Sequence, residues 1–302
     1  MGQPKKSMES RRSKAGPRIG RILRAFAALI VSVATLLTGT VTAQAAVGNL
    51  PGYWFNPTSS GSWYIGYHAA GLGPMGYNGD NPYYCLSAGN PLYNTGTWQE
   101  VTDTNSKIAA YMVNKYVGDR SDFTQAAVAY ALHAHLDRSD THFNEMVAAG
   151  LEGADINAVA AKANEMWNDA YNNTPTDINA SYKYTEGKLK GTVNPGIMNT
   201  NKQYVAGVQY TITLNGPAVF DATGTNTYTG VTKAQEGHIA WTATDDGDVQ
   251  GTVSYAGIGA LRMDSVGQPL FMRNQDPQYR NGTIEFKVEA SYPLDVSTVA
   301  TN

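Results

Sequence analysis

The hydrophobic period of this chain changes from helical to alternating near residue 173, and that change limits the folds open to it. Over 103–173, apolar residues recur every three or four positions, as on one face of a helix. Ile108, Met112, Val113 and Tyr116 mark a helix over 103–118, capped by Asp103 or Thr104 and ended by Gly118. A second helix follows over 123–137, opened by Ser121 or Asp122, and a shorter one lies near 143–149. After Asp155, the residues Ile156, Val159, Ala163, Met166, Trp167 and Ala170 hold strict helical spacing until Asn172-Asn173-Thr174-Pro175 stops them.

Past that stop the period is two. Tyr182 and Tyr184, then Val208-Tyr210-Ile212-Leu214, Ile239-Trp241-Ala243, Val249-Gly251-Val253-Tyr255 and Ile284-Phe286-Val288 alternate. Asn215-Gly216, Asp246-Gly247 and Asn281-Gly282 supply turns between them. Ahead of the helices, residues 47–98 interleave Tyr, Trp and Phe with Gly, Pro and Asn, which suits short strands and tight turns. Within this stretch, residues 82–87 read as a strand carrying Cys85. The expected fold is an α+β N-terminal domain, aromatic-rich strands packed on three or four helices, followed by an all-β sandwich. The expected bounds are 46–175 for the first domain, 176–193 for a linker or first strand, and 194–302 for the sandwich.

Residues 1–45 stand apart from the fold. Eight Lys and Arg between Lys5 and Arg24 precede an apolar run over 25–37, and Ala43-Gln44-Ala45 fits a small-x-small cleavage site. The run is shorter than a bilayer-spanning helix needs. This is a secretory signal peptide, and it makes the mature protein secreted, with no membrane insertion after the signal is removed. A net charge of −3 over 302 residues gives no electrostatic basis for binding nucleic acid.

Export gives weight to the single cysteine. It has no internal disulfide partner, which leaves four roles: a buried inert thiol, an intermolecular disulfide, a catalytic nucleophile, or a crosslink to another side chain. Gln125 is the second anomaly, a long amide in the first turn of a helix that is apolar on most sides. A buried amide must find partners or cost roughly 1–3 kcal/mol. A cysteine hydrolase would need a histidine beside the thiol, and His68, His133 and His142 are the candidates. His133 and His135 fall on different faces of their helix and no His-Glu-x-x-His is present, so no metal site is indicated.

Tyr83-Tyr84-Cys85-Leu86 and the later Thr124-Gln125-Ala126-Ala127 resemble the thioester domains of Gram-positive surface adhesins, over roughly residues 47–175. The resemblance implies that Cys85 and Gln125, the glutamine of the Thr-Gln-x-Ala (TQXA) motif, form an internal thioester, with Thr124 in support. It implies a cell-surface adhesin that captures an amine or hydroxyl of a host or surface protein or glycan covalently. That is a single event without turnover, so the chain is not an enzyme in this reading, and it needs no cofactor or metal. The second half more weakly resembles the β-domain that follows such regions in surface proteins. No Leu-Pro-x-Thr-Gly motif occurs before Asn302, so the chain is either the head of a longer cell-wall-anchored protein or is released. The alternative is a non-covalent surface-binding or structural head with an inert buried cysteine. N-terminal sequencing of exported protein should find the chain beginning at or near Ala46; a cytoplasmic product retaining Met1 would contradict the signal.

Overall fold

The computed structural model describes residues 50–54, 71–86, 96–136, 155–185, 187–264 and 269–289. The signal peptide, the expected helix near 143–149, His68 and His142 lie outside the described residues. In chain order the elements begin with β1 (Tyr53–Trp54), β2 (Gly71–Leu72), β3 (Pro74–Asn78), β4 (Asn81–Cys85) and β5 (Gln99–Val101). Three helices follow: α1 (Thr104–Tyr116), α2 (Asp122–Leu136) and α3 (Ile156–Asn173). Next come β6 (Asp177–Ile178), β7 (Ser181–Tyr184), β8 (Lys190–Asn194), β9 (Ile197–Met198), β10 (Gln209–Asn215) and β11 (Ala218–Phe220). The last strands are β12 (Thr227–Val231), β13 (Ile239–Ala243), β14 (Gly247–Met263) and β15 (Leu270–Val288).

The helix ends follow local chemistry. Asp103 accepts from the Ser106 N–H at 2.9 Å, and Asp155 accepts from the N–H groups of Asn157 and Ala158, so both caps satisfy donors that have no partner within the helix. Thr174 closes α3 by donating its N–H and its hydroxyl to the Ala170 carbonyl. Between β10 and β11 the chain turns at Gly216, whose φ of 117° and closeness to the Asp248 carbonyl leave no room for a side chain.

Seven strands form one sheet in the order β12-β10-β14-β15-β4-β3, with β5 pairing β14. Four more form a second sheet, β11-β13-β8-β7. Between the two sheets lies a sandwich core that includes Ile212, Phe220, Trp241, Val253 and Phe286. A separate core joins the helices to the large sheet through Tyr84, Leu86, Ile108, Met112, Leu132, Met166, Ala260 and Phe271. Both expected architectures, helices on strands and a sandwich, are therefore present.

Their separation into two domains is not confirmed. The sheet does not break between residues 173 and 194: Leu270 pairs Cys85, Phe271 pairs Tyr84, and Ala260 pairs Val101. The 17 residues of β14 and 19 of β15, at about 3.4 Å each, are long enough to run through both cores. One half of this hairpin belongs to the sandwich and the other half completes the sheet under the helices. The region expected as a linker or first strand, 176–193, contributes β7 and most of β8 to the smaller sheet. Alternation fails over Ala256, Gly257, Ile258, Gly259 and Ala260, which have small side chains apart from Ile258, so no strand is legible there in sequence. Gly259 has to be small: a Cβ on it would stand 2.4 Å from Gln278 Cγ.

A fragment covering 46–193 therefore lacks Ala260 and Phe271 from the helix core. Expressed alone, it should fail to give a cooperative thermal transition, whereas the full mature chain should give one. Phe271→Ala should cost about 3–5 kcal/mol in denaturant unfolding, although Phe271 lies far beyond the expected boundary.

Candidate functional site

The site is set by how β4 is covered. All five of its residues are buried, which requires material on both faces. Successive side chains of a strand point to opposite faces. Tyr84 and Leu86 enter the helix core with Ala260 and Phe271. Tyr83 and Cys85 enter a different cluster with Met75, Trp98, Leu261, Met263, Leu270 and Met272. The thiol thus sits on the face of the sheet turned away from the helices.

Gln125 is on the helix side, in the first turn of α2, and only 1% exposed. Its carboxamide is fully engaged. The Tyr84 hydroxyl donates to Gln125 Oε1 at 2.6 Å. Gln125 Nε2 donates to the Tyr116 carbonyl at 3.3 Å and to the Asp119 carbonyl. One side chain thereby ties the end of α1, the start of α2 and strand β4 together. Burial pushes the Tyr84 hydroxyl far above the ordinary tyrosine range, so it remains a donor at every working pH.

Thr124 works on the same junction. Its hydroxyl donates to Asp119 Oδ2 at 2.6 Å, while Asp119 Oδ1 accepts from the Ser121 N–H at 3.0 Å. The Thr124 hydroxyl, then the Ser121 N–H and hydroxyl, hold the Asp119 carboxyl below its usual range. The Thr-Gln pair is the fastening of a helix–helix turn, and the turn is further tied to β1 by the Gly52 N–H on Asp122 Oδ1 at 2.9 Å.

The described hydrogen bonds of Gln125 go to Tyr84, Tyr116 and Asp119, while Cys85 packs in a different cluster. The structure brings Gln125 to Tyr84, the neighbour of Cys85, and one step along a strand reverses the side chain. His133 is also buried on α2. His135 stacks on Trp167 with ring centroids 3.8 Å apart. Among the described residues, no group of three or more His, Cys, Asp or Glu is placed to hold a metal ion.

Cys85 is 8% exposed and directly opposite Leu270 in the antiparallel ladder. The pairing continues one residue further, where the Leu86 N–H donates to the Pro269 carbonyl at 2.9 Å. Trp98, in the same cluster and 3% exposed, has an indole N–H with no acceptor among the described residues. Sequence reading had no cue for Leu270, Pro269 or Trp98, because it placed β15 in another domain and Trp98 bears no motif.

No family profile and no curated protein matches the chain. Solved structures similar to it include the following two. The thioester domain of the Enterococcus faecium TIE86 protein aligns at 12% identity and a TM-score of 0.38, covering 70% of this chain and 84% of its own. The Bacillus anthracis TIE protein aligns at 12% identity and a TM-score of 0.44, covering 78% of this chain and 46% of its own. No helix among the described residues is long and apolar enough to cross a membrane.

The Asp119 contact carries a pH signature. A carboxyl lowered by folding stabilises the folded state above its unfolded pKa, and that contribution is lost as pH falls through the lower, folded value. Thr124→Val removes the main cause of the lowering. The melting temperature of the parent should therefore exceed that of the variant at neutral pH, and the gap should close on acidification below about pH 4. A gap independent of pH would show that the hydroxyl acts without the carboxylate.

Proposed function

We propose that this chain is a secreted, adhesin-like protein that captures a nucleophile through an internal thioester at Cys85, with Gln268 rather than Gln125 as the acyl partner. The observation that carries this reading is the ladder seating Cys85 opposite Leu270 and Leu86 opposite Pro269. Gln268 is the residue before Pro269 in the chain. Diagonal neighbours across a strand ladder are about 7–8 Å apart, a distance long side chains cover.

The chemistry then balances. Cys85 Sγ attacks the Gln268 Cδ, a C–S bond forms, the C–N bond breaks, and the thiol proton leaves with the amide nitrogen as ammonia. Holding the two groups in place replaces a sluggish bimolecular reaction, an advantage on the order of 10⁵–10⁸ M in effective molarity. The Trp98 indole N–H, without an acceptor among the described residues, is a donor suited to a carbonyl oxygen formed within this cluster. A buried thioester is shielded from water until an amine or hydroxyl of a ligand reaches it. Attack then transfers the acyl group and releases the Cys85 thiol, once per molecule and without turnover. The Gln125 site serves as the clamp that keeps β4 against the helices.

A second reading has its own support: Cys85 is packed among apolar side chains, as an inert thiol in a non-covalent head domain would be. Intact mass decides between them. The mature parent should weigh one ammonia less than its sequence, and Cys85→Ala and Gln268→Ala should each restore the full mass. Gln125→Glu should keep the deficit in whatever fraction folds. A parent of full mass with a titratable thiol would leave the inert-thiol reading, and a deficit that survives Gln268→Ala would reject the assigned partner.

A further inference from the structure

A second site is formed where the outer edge of β14 is left open. β10 covers that edge as far as Tyr255, paired with Tyr210, and β5 covers it from Ala260, paired with Val101. Between them Ala256, Gly257, Ile258 and Gly259 have no strand on that side among the described residues. Four residues span about 14 Å of strand. A groove of about 510 Å³ opens along the gap. Its walls include Lys107 and Tyr111 of α1, the backbone of Gly207, and Tyr279 and Arg280 of β15.

The charges in the groove are unbalanced. Among the described residues neither Lys107 nor Arg280 takes part in an ion pair, although ion pairs are common elsewhere on the surface. Burial, and then the like charge of Arg280, pull the Lys107 amine below its usual range, against a weaker pull from Asp103. Asp103 is occupied in capping α1 through the Ser106 N–H. Two cations that repel each other across an unfilled groove are stabilised by an anion placed between them. Tyr279, 69% exposed, offers an aromatic wall at the mouth.

We propose that this groove binds an extended peptide segment of about four residues bearing a carboxylate, which adds as a strand on β14 between β5 and β10. Unpaired strand edges recognise peptides through main-chain hydrogen bonds, with side-chain pockets adding selectivity. Here the edge supplies the first and Lys107 with Arg280 the second. A sulfated or carboxylated sugar would satisfy the cations and leave the edge unused, so the open backbone favours a peptide. The site is independent of Cys85 and of the thioester reading.

The test is titration of the full mature protein, followed by amide NMR, with a blocked hexapeptide of alternating threonine and valine carrying one central aspartate. Saturable shifts should appear at Ala256, Gly257, Ile258 and Gly259. The asparagine counterpart should bind roughly tenfold more weakly, as should the aspartate peptide to Lys107→Ala or Arg280→Ala protein of unchanged melting temperature. N-methylation of the peptide backbone should abolish binding. No binding by the aspartate peptide would overturn the proposal. Equal binding by the N-methylated peptide, or by a sulfated disaccharide in its place, would reduce the site to an anion pocket and overturn the strand.

Discussion

One strand, β4, controls what the rest of the molecule can do, because it is buried on both faces and its side chains must alternate. Tyr84 faces the helices and donates to Gln125, while Cys85 faces the other way and packs against Leu270. The two residues are neighbours in sequence, but their surroundings share no core. A shift of one residue in register would exchange them and put a thiol in the space of a phenol. The buried hydrogen bond from Tyr84 to Gln125 opposes such a shift, since breaking it leaves polar atoms stranded at about 1–3 kcal/mol.

The long hairpin β14–β15 gives β4 its setting. It brings Phe271 under the helices, Leu270 beside the thiol and Phe286 into the sandwich, so the two cores share a backbone. Arg273 extends the connection, with Nε donating to Asn81 Oδ1 at 3.1 Å and its guanidinium also reaching Asn114 of α1. A reactive group between such elements is held by both halves of the chain. This suits a reaction whose only assistance is position. It also means that damage to the sandwich reaches the thiol through β15 without touching any residue of the site.

Much of the architecture was legible in the sequence, and the reasons are local. Asp103 and Asp155 are caps, Thr174 is a stop, and Ile239-Trp241-Ala243 alternate as a strand with one buried face must. These features depend on neighbours within a few positions. The shared hairpin was not legible, because Gly257 and Gly259 interrupt the alternation where the strand crosses from one core to the other. Nor was the register of β15 on β4, which joins residues 185 positions apart through no local signal. The Thr124-Gln125 pair was legible as unusual: burial of the amide was foreseen, while its partners, Tyr84 and the two carbonyls ending α1, were visible only once folded.

The acyl chemistry is proposed for Cys85 on the Leu270 side of β4, apart from Gln125. Peptide mapping after treatment of the mature protein with isotopically labelled methylamine tests it most directly. The label should be found on the peptide containing Gln268, together with a newly alkylatable Cys85, while the peptide containing Gln125 stays unlabelled. Label on Gln125 would contradict the assignment of the two faces, and no label on either peptide would contradict the thioester itself.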